Sequence, residues 1–388
     1  MRKVLSSLVL AMFFLLSGAR DMRQAAGGPG LPDGVDSALL DAVCLMETGR
    51  LDEAVPMLDS LAVLSPDNDA VQYYIGLCKY SSGDAPGSLG HFRRALELDP
   101  SNGWYKETLA NLYTGLGEGA SAAALYKELK ASDPGKFQNI YILPAIAQAY
   151  RLKRDFPAFF STLAELVRDS ETDDESKYSA LMACLGNFDA RTFNDILPSL
   201  DTLMQTYAEA EPLSLHAHSL RMEMAARTGK DDIVIRECAK MMELAPEDAS
   251  MQLQCLSIIG DTLYKQGRDK EAFRTYEAAL KIDPEYCTVL NNYAYYLSLR
   301  GRRLAKAEKM SAVTVEQEPD NPTYLDTYGW ILYLRGKAKK AKPYFKHAMI
   351  YGGRDSAVIL WHFSVVLEKL GETDLASYYR NLAETKNK

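Results

Sequence analysis

The sequence contains no HExxH, no GxSxG, no glycine-rich phosphate loop followed by lysine, and no cysteine–histidine spacing suited to zinc. The common routes to hydrolysis, nucleotide chemistry and metal catalysis therefore have no anchor in it. Histidine is scarce. His216 and His218 lie two residues apart, and on a helix such neighbours point in different directions and do not share a metal easily. The acidic run Asp173 to Ser176 suits a solvated helix start, where carboxylates are favoured. Glu53 and Glu271, beside expected turns, have the same structural reading. With no convergent set of polar groups, the expectation is a non-enzymatic protein with no catalytic residues, metal or cofactor.

Excess positive charge is also missing. The formal net charge is -8, from 44 basic and 52 acidic residues, which argues against nucleic acid as a partner because binding phosphates needs a dominant basic footprint. Only the start of the chain carries a long hydrophobic run. "MRKVLSSLVLAMFFLLSGA" combines Arg2 and Lys3, an apolar stretch from Val4 to Leu16, and small residues Ser17 and Ala19 at the positions a signal peptidase reads. Residues 1–19 are expected to be a cleaved signal peptide. The alternative, an uncleaved anchor, has fewer than the roughly 20 apolar residues that span a bilayer. Cleavage removes two positive charges and no acid, taking the net charge from -8 to -10. No cysteine precedes Cys44, so a lipid-attachment cysteine is missing and no stable membrane insertion is expected after cleavage. Residues 20–35, rich in Gly and Pro, read as a flexible tether. The six cysteines, Cys44, Cys78, Cys184, Cys238, Cys255 and Cys287, form no CxxC and read as small buried hydrophobes, with a disulfide framework as the alternative.

What the chain does have is a period. Pro66, Pro100 and Pro134 are 34 residues apart, and Pro212 and Pro246 repeat the interval. Pro284 and Pro319 close similar phrases. Within residues 103–134, Ala110, Tyr113, Gly117, Ala122, Tyr126 and Pro134 supply a small contact, an aromatic plug, a turn, a second small contact, a second plug and a stop. Gly260, Leu263, Gly267, Ala272, Tyr276, Ala279 and Pro284 fill the same places in 253–284. Small residues let two helices approach closely, glycine ends the first and proline stops the second.

This pattern resembles the tetratricopeptide repeat family over nearly all of residues 36–388. The resemblance implies an all-α fold, a right-handed α-solenoid of about ten antiparallel helix pairs. Leading helices are expected near 36, 69, 103, 253, 287, 322 and 356, with turns at Gly49, Gly83, Gly117, Gly267, Gly301, Gly336 and Gly371. The expected layout is an N-terminal array at 36–134, degenerate helix pairs at 135–246 and a C-terminal array with a cap at 247–388. In the middle segment Arg154 stands where a turn glycine belongs. The 38-residue spacing from Pro246 to Pro284 predicts a longer leading helix, and the 35 residues from Pro284 to Pro319 place one extra residue near "GRRLAKAE".

Solenoids bind ligands on a concave surface lined by leading helices. Advancing about 100° per residue, Leu325, Tyr328, Gly329 and Leu332 share a packing face, and Trp330 lies nearly opposite with Asp326 and Tyr333. The same register in neighbouring pairs gives a candidate groove of Asp261, Tyr264, Asn291, Tyr295, Asp326, Trp330, Tyr333 and Trp361. Two readings stay open: rings that pack on the adjacent leading helix, or a surface that grips an extended peptide. The two-carboxylate clamp of some family members is missing, since Lys106 and Asn111 lack companions. Arg302, Arg303, Lys306 and Lys309, then Lys337, Lys339, Lys340, Lys342 and Lys346, fall on second helices and read as an outer solvated wall, or else as a patch for an acidic partner or an anionic membrane surface.

The phrases "LNNYAYYLSLRGRRLAKAEKMS" and "YLDTYGWILYLRG" resemble exported repeat proteins of Bacteroides-type bacteria. That resemblance implies a periplasmic or cell-envelope scaffold with a protein or peptide partner. The alternative is a glycan-binding protein at the outer membrane.

Overall fold

A computed structural model describes residues 34–186 and 188–386. The expected signal peptide, and all of the expected tether except its last two residues, lie outside them. Among the described residues there are twenty α-helices and no strand. In the first part they are α1 (Val35–Glu47), α2 (Leu51–Leu64), α3 (Asp69–Ser81), α4 (Ala85–Leu98), α5 (Gly103–Leu116), α6 (Gly119–Ser132), α7 (Asn139–Leu152), α8 (Phe156–Arg168) and α9 (Asp174–Leu185). There follow α10 (Ala190–Ala210), α11 (Leu215–Arg227), α12 (Asp231–Leu244), α13 (Ala249–Lys265), α14 (Asp269–Ile282) and α15 (Cys287–Leu299). The last are α16 (Leu304–Gln317), α17 (Pro322–Leu334), α18 (Ala338–Ile350), α19 (Ala357–Lys369) and α20 (Thr373–Lys386). The chain divides into two compact units after Ile196, inside α10 and inside the segment expected to be irregular.

Leading helices α1, α3, α5, α7, α11, α13, α15, α17 and α19 each pack against the helix that follows across a short turn. Starts are set by caps: Asn68, Asn102 and Asn321 accept backbone N–H groups of the first turn, as does Asp173 for α9. Ends are set by left-handed residues, and every glycine expected at a turn has positive φ. Gly229, which the sequence pattern passed over, joins them. Arg154 keeps the turn geometry without a glycine, at φ 59°, and its guanidinium donates to Thr192 Oγ1 at 3.1 Å. The extra residue near 301–303 is visible as two left-handed residues, Gly301 and Arg303. The longer leading helix expected before Pro284 is α13.

Small residues meet aromatic plugs within each pair. A Cβ added to Gly329 would fall 2.8 Å from the Phe345 ring, and one on Gly260 would fall 2.3 Å from the Tyr276 ring. Neither site accepts a methyl group without repacking. Leading helices also touch each other, and in the second unit α13, α15, α17 and α19 form a continuous row of neighbours. Cys78, Cys184, Cys238, Cys255 and Cys287 are buried free thiols, whereas Cys44 is exposed. No helix of the described residues is long and apolar enough to cross a membrane.

Candidate functional site

The row of leading helices determines what the expected groove residues can do. Asp261 on α13 accepts a hydrogen bond from Tyr276 Oη at 2.5 Å and from Asn292 Nδ2 at 3.1 Å. Burial raises its carboxyl above the usual range, and the hydrogen bonds from Tyr276, Asn292 and Tyr296 only partly oppose this. Tyr264 stacks on Tyr296 at 3.8 Å, with the Arg300 guanidinium 5.3 Å from its ring centre. On α15, Asn291 is buried and donates to Asn292 Oδ1 at 3.2 Å. Its own Oδ1 has no partner among the described residues. Tyr295 is half-buried, and burial followed by the nearby Asp326 charge raises its phenol.

On α17 the candidate groove residues Asp326 and Trp330 are largely covered. Asp326 is 4% exposed and Trp330 9%. Helical periodicity placed them opposite the packing face of their own pair, but α19, one repeat further on, covers that second face. His362 Nδ1 sits 2.9 Å and 3.1 Å from the two Asp326 oxygens, and its ring stacks on Trp330 at 4.1 Å. Tyr333 stacks on the indole at 5.1 Å. Burial drives the Asp326 carboxyl upward, and the bond from His362 opposes it. Asp326, Trp330 and Asn291 therefore brace the inner wall and do not present free surface. Trp361, at the edge of the same aromatic group and 5.7 Å from Trp330, is 47% exposed. Of the eight expected residues it offers the largest accessible ring.

The site includes residues that sequence reasoning missed. Asn292, Tyr296 and His362 supply the links between successive leading helices. A signal for His362 was present, because it interrupts the apolar run "AVILWHFSVV". The clamp candidates are used internally: Lys106 pairs with Glu128, and Asn111 accepts from Tyr126. His218 is buried against Glu237. The basic second helices are partly neutralised, with Lys306 on Glu277, Lys337 on Glu308 and Lys342 on Glu372. Lys339, Lys340 and Lys346 are exposed. Among the described residues no cluster of three or more His, Cys, Asp or Glu side chains could hold a metal ion. The arrangement can offer an aromatic face with polar edges, held rigid from beneath.

Comparison with known proteins supplies the family evidence. Residues 39–103 match the tetratricopeptide repeat model, and residues 155–283 match the model described as bacterial transcriptional activator domain. A stretch of 121 residues is 31% identical to cellulose synthase operon protein C of Pseudomonas fluorescens, covering 29% of this chain and 9% of that protein. A TPR repeat-containing protein of Pseudomonas aeruginosa is 33% identical over 67 residues, covering 17% of this chain and 11% of its own length. The matched stretches thus span about a tenth of these relatives. Among solved structures, the P58(IPK) TPR domain aligns over 87% of this chain and 99% of its own, with 15% identity and a TM-score of 0.32. The Naa15/Naa10 complex bound to HypK-THB aligns over 95% and 65%, with 14% identity and a TM-score of 0.39. Superpositions this loose add nothing to the helix-pair geometry. Over the described residues the chain is built of paired helices, and residues 39–103 match the tetratricopeptide repeat model.

Proposed function

We propose that the chain is a non-catalytic scaffold that holds a protein or peptide segment against the leading helices of its second unit. The accessible Trp361 indole, backed by the buried Trp330 and His362, carries this reading. A ring already fixed by its neighbours loses little conformational freedom on binding, and Trp is enriched at binding hot spots. The sequence pattern of residues 1–19 supports export, and with it a role in protein assembly in the periplasm or cell envelope. The Bacteroides-type setting rests on sequence phrases alone, and the relatives reported above are Pseudomonas proteins.

Affinity capture from the native envelope, with mass spectrometry, tests the scaffold role. A specific protein retained by the wild type and lost from Trp361→Ala, with unchanged melting, is the expected result. Equal retention by both sinks the groove assignment. The mature N-terminus tests export, and a chain beginning at Met1 overturns it. A glycan ligand is the second reading, favoured by the same exposed indole, which suits a sugar face, and by the name of the Pseudomonas fluorescens relative. Binding to a glycan array in place of any protein would promote it.

A further inference from the structure

Away from the aromatic row, the end of α10 with α11 and α12 encloses an opening of about 450 Å³. Ligand pockets commonly span roughly 300–1,000 Å³. Its wall is unusual because ionisable side chains in it are buried: Arg221 is 3% exposed, Glu237 5% and His218 7%. Burying charge is costly unless each group is paired, so the pairing shows what capacity is left over.

The two buried carboxylates, Asp201 and Glu237, are fully used. One Asp201 oxygen accepts from Arg221 Nη1 at 2.6 Å and the other from Lys230 Nζ at 2.6 Å. Burial pushes Asp201 up, and those two hydrogen bonds more than offset it, so it stays ionised. Glu237 Oε2 lies 2.6 Å from His218 Nδ1, and Oε1 accepts from Arg236 Nε and Nη2 at 3.2 Å and 3.0 Å. His218 Nε2 faces the Pro212 carbonyl at 3.1 Å. The arginines are not fully used. Among the described residues, Arg221 commits only Nη1, to the side chain and backbone of Asp201, and Arg236 commits no Nη1 bond. The unmet capacity of the pocket is therefore in guanidinium donors.

We infer that this opening binds a carboxylate, received by the Nε and Nη2 edge of Arg221 with Arg236 at the mouth. A guanidinium edge matches the two oxygens of a carboxylate. Phosphate presents a similar oxygen set, but Glu209 and Glu237 also line the opening and disfavour a second negative charge. Ala208 and Ile233 complete the wall with apolar surface, so the fitting ligand joins its carboxylate to a short aliphatic group. That chemistry is shared by a free branched-chain acid and by the C-terminus of a peptide ending in leucine.

Calorimetric titration of the full chain distinguishes them, using isovalerate, isovaleramide, inorganic phosphate, and the tetrapeptide Ala-Ala-Ala-Leu with a free or an amidated C-terminus. Saturable binding of isovalerate or the free-acid peptide, and of neither amide, is expected, and whichever acid binds more tightly identifies the source. Arg221→Gln should weaken it about tenfold or more, the scale of a lost charged hydrogen bond. If that variant does not fold, Arg236→Gln at the exposed mouth and Ala208→Phe, which fills the opening without changing charge, give the same reading. Trp361→Ala should leave this binding unchanged, so the outcome is separate from that of the scaffold test. No saturable binding of either acid, equal binding of the amides, preference for phosphate, or full binding by Ala208→Phe each overturns the inference.

Discussion

Asp69 in the first unit and Asp326 in the second each reach a partner 36 residues further along the chain, on the next leading helix. The spacing is the same and the physics differs. Asp69 begins α3 at a half-buried position and accepts the Tyr105 phenol at 2.9 Å, beside a Tyr73 ring tilted against Tyr105 at 4.8 Å. Asp326 lies inside α17, almost wholly buried, and its partner is a histidine covered by an indole. One period thus joins leading helices by a neutral hydroxyl near water in one place and by a desolvated carboxylate–imidazole pair in another. The repeat specifies which residues meet, and burial specifies what breaking the contact costs.

The largest expected effect tests that contrast directly. Asp326→Ala strands His362 in the core and should cost about 3–5 kcal/mol, the range for removing one partner of a buried pair. Asp69→Ala removes one half-buried hydrogen bond and should cost about 1 kcal/mol. Denaturant unfolding of both variants measures the difference, and equal losses would show that burial is not the deciding variable. Gly329→Ala comes next, at about 1–3 kcal/mol, because its methyl meets the Phe345 ring. A relieving Phe345→Leu change should recover part of that loss.

A pH comparison within the second unit is smaller and has a definite sign. Asp261 is raised by burial, so its folded form holds a proton more readily than the unfolded chain. Its contribution to stability is full below the ordinary carboxyl pKa of about 3.9 and is lost as pH rises through the higher folded value. Asp201 is lowered, because hydrogen bonds from Lys230 and Arg221 outweigh its burial. Its contribution is full above about 3.9 and is lost as pH falls through the lower folded value. The stability advantage of wild type over Asp261→Asn should therefore shrink as pH rises above 4, while that over Asp201→Asn should shrink as pH falls below 4. Parallel slopes would refute the assignment. The last comparison concerns the turns, with the smallest effect at Arg154. Gly336→Ala has free space around its new methyl and should lose about 1–2 kcal/mol from the left-handed backbone alone. Arg154→Gly should change stability by less than about 1 kcal/mol, as relief of the same strain is offset by loss of the Thr192 hydrogen bond.

Helix pairs were legible because their determinants are local. Gly117 and Gly267 end helices, proline closes them, and small residues face aromatic plugs at fixed offsets. Arg154 was legible as an anomaly, and the structure shows the turn preserved in spite of it. The candidate site was legible as a row of positions but not as a surface. Whether Trp330 faces a ligand or a neighbour depends on α19, and a helical wheel of α17 does not contain that information. His362 went unnoticed because a lone histidine in an apolar run resembles core filling until its Asp326 partner is in view. The charged opening beside Arg221 depends on three helices at once, and no short motif records it.

The stack on Trp330 also gives the protein a built-in optical signal. The chain has three tryptophans, of which Trp104 and Trp361 are substantially exposed and Trp330 is not. Indole emission responds to what the ring is stacked on, so Trp330 emission reports whether the His362 stack of the Asp326–His362 link is intact, without any label. Fluorescence of a Trp104→Phe, Trp361→Phe variant, excited at the red edge of the absorption band where the 23 tyrosines do not absorb, would then follow the joint between two successive repeats.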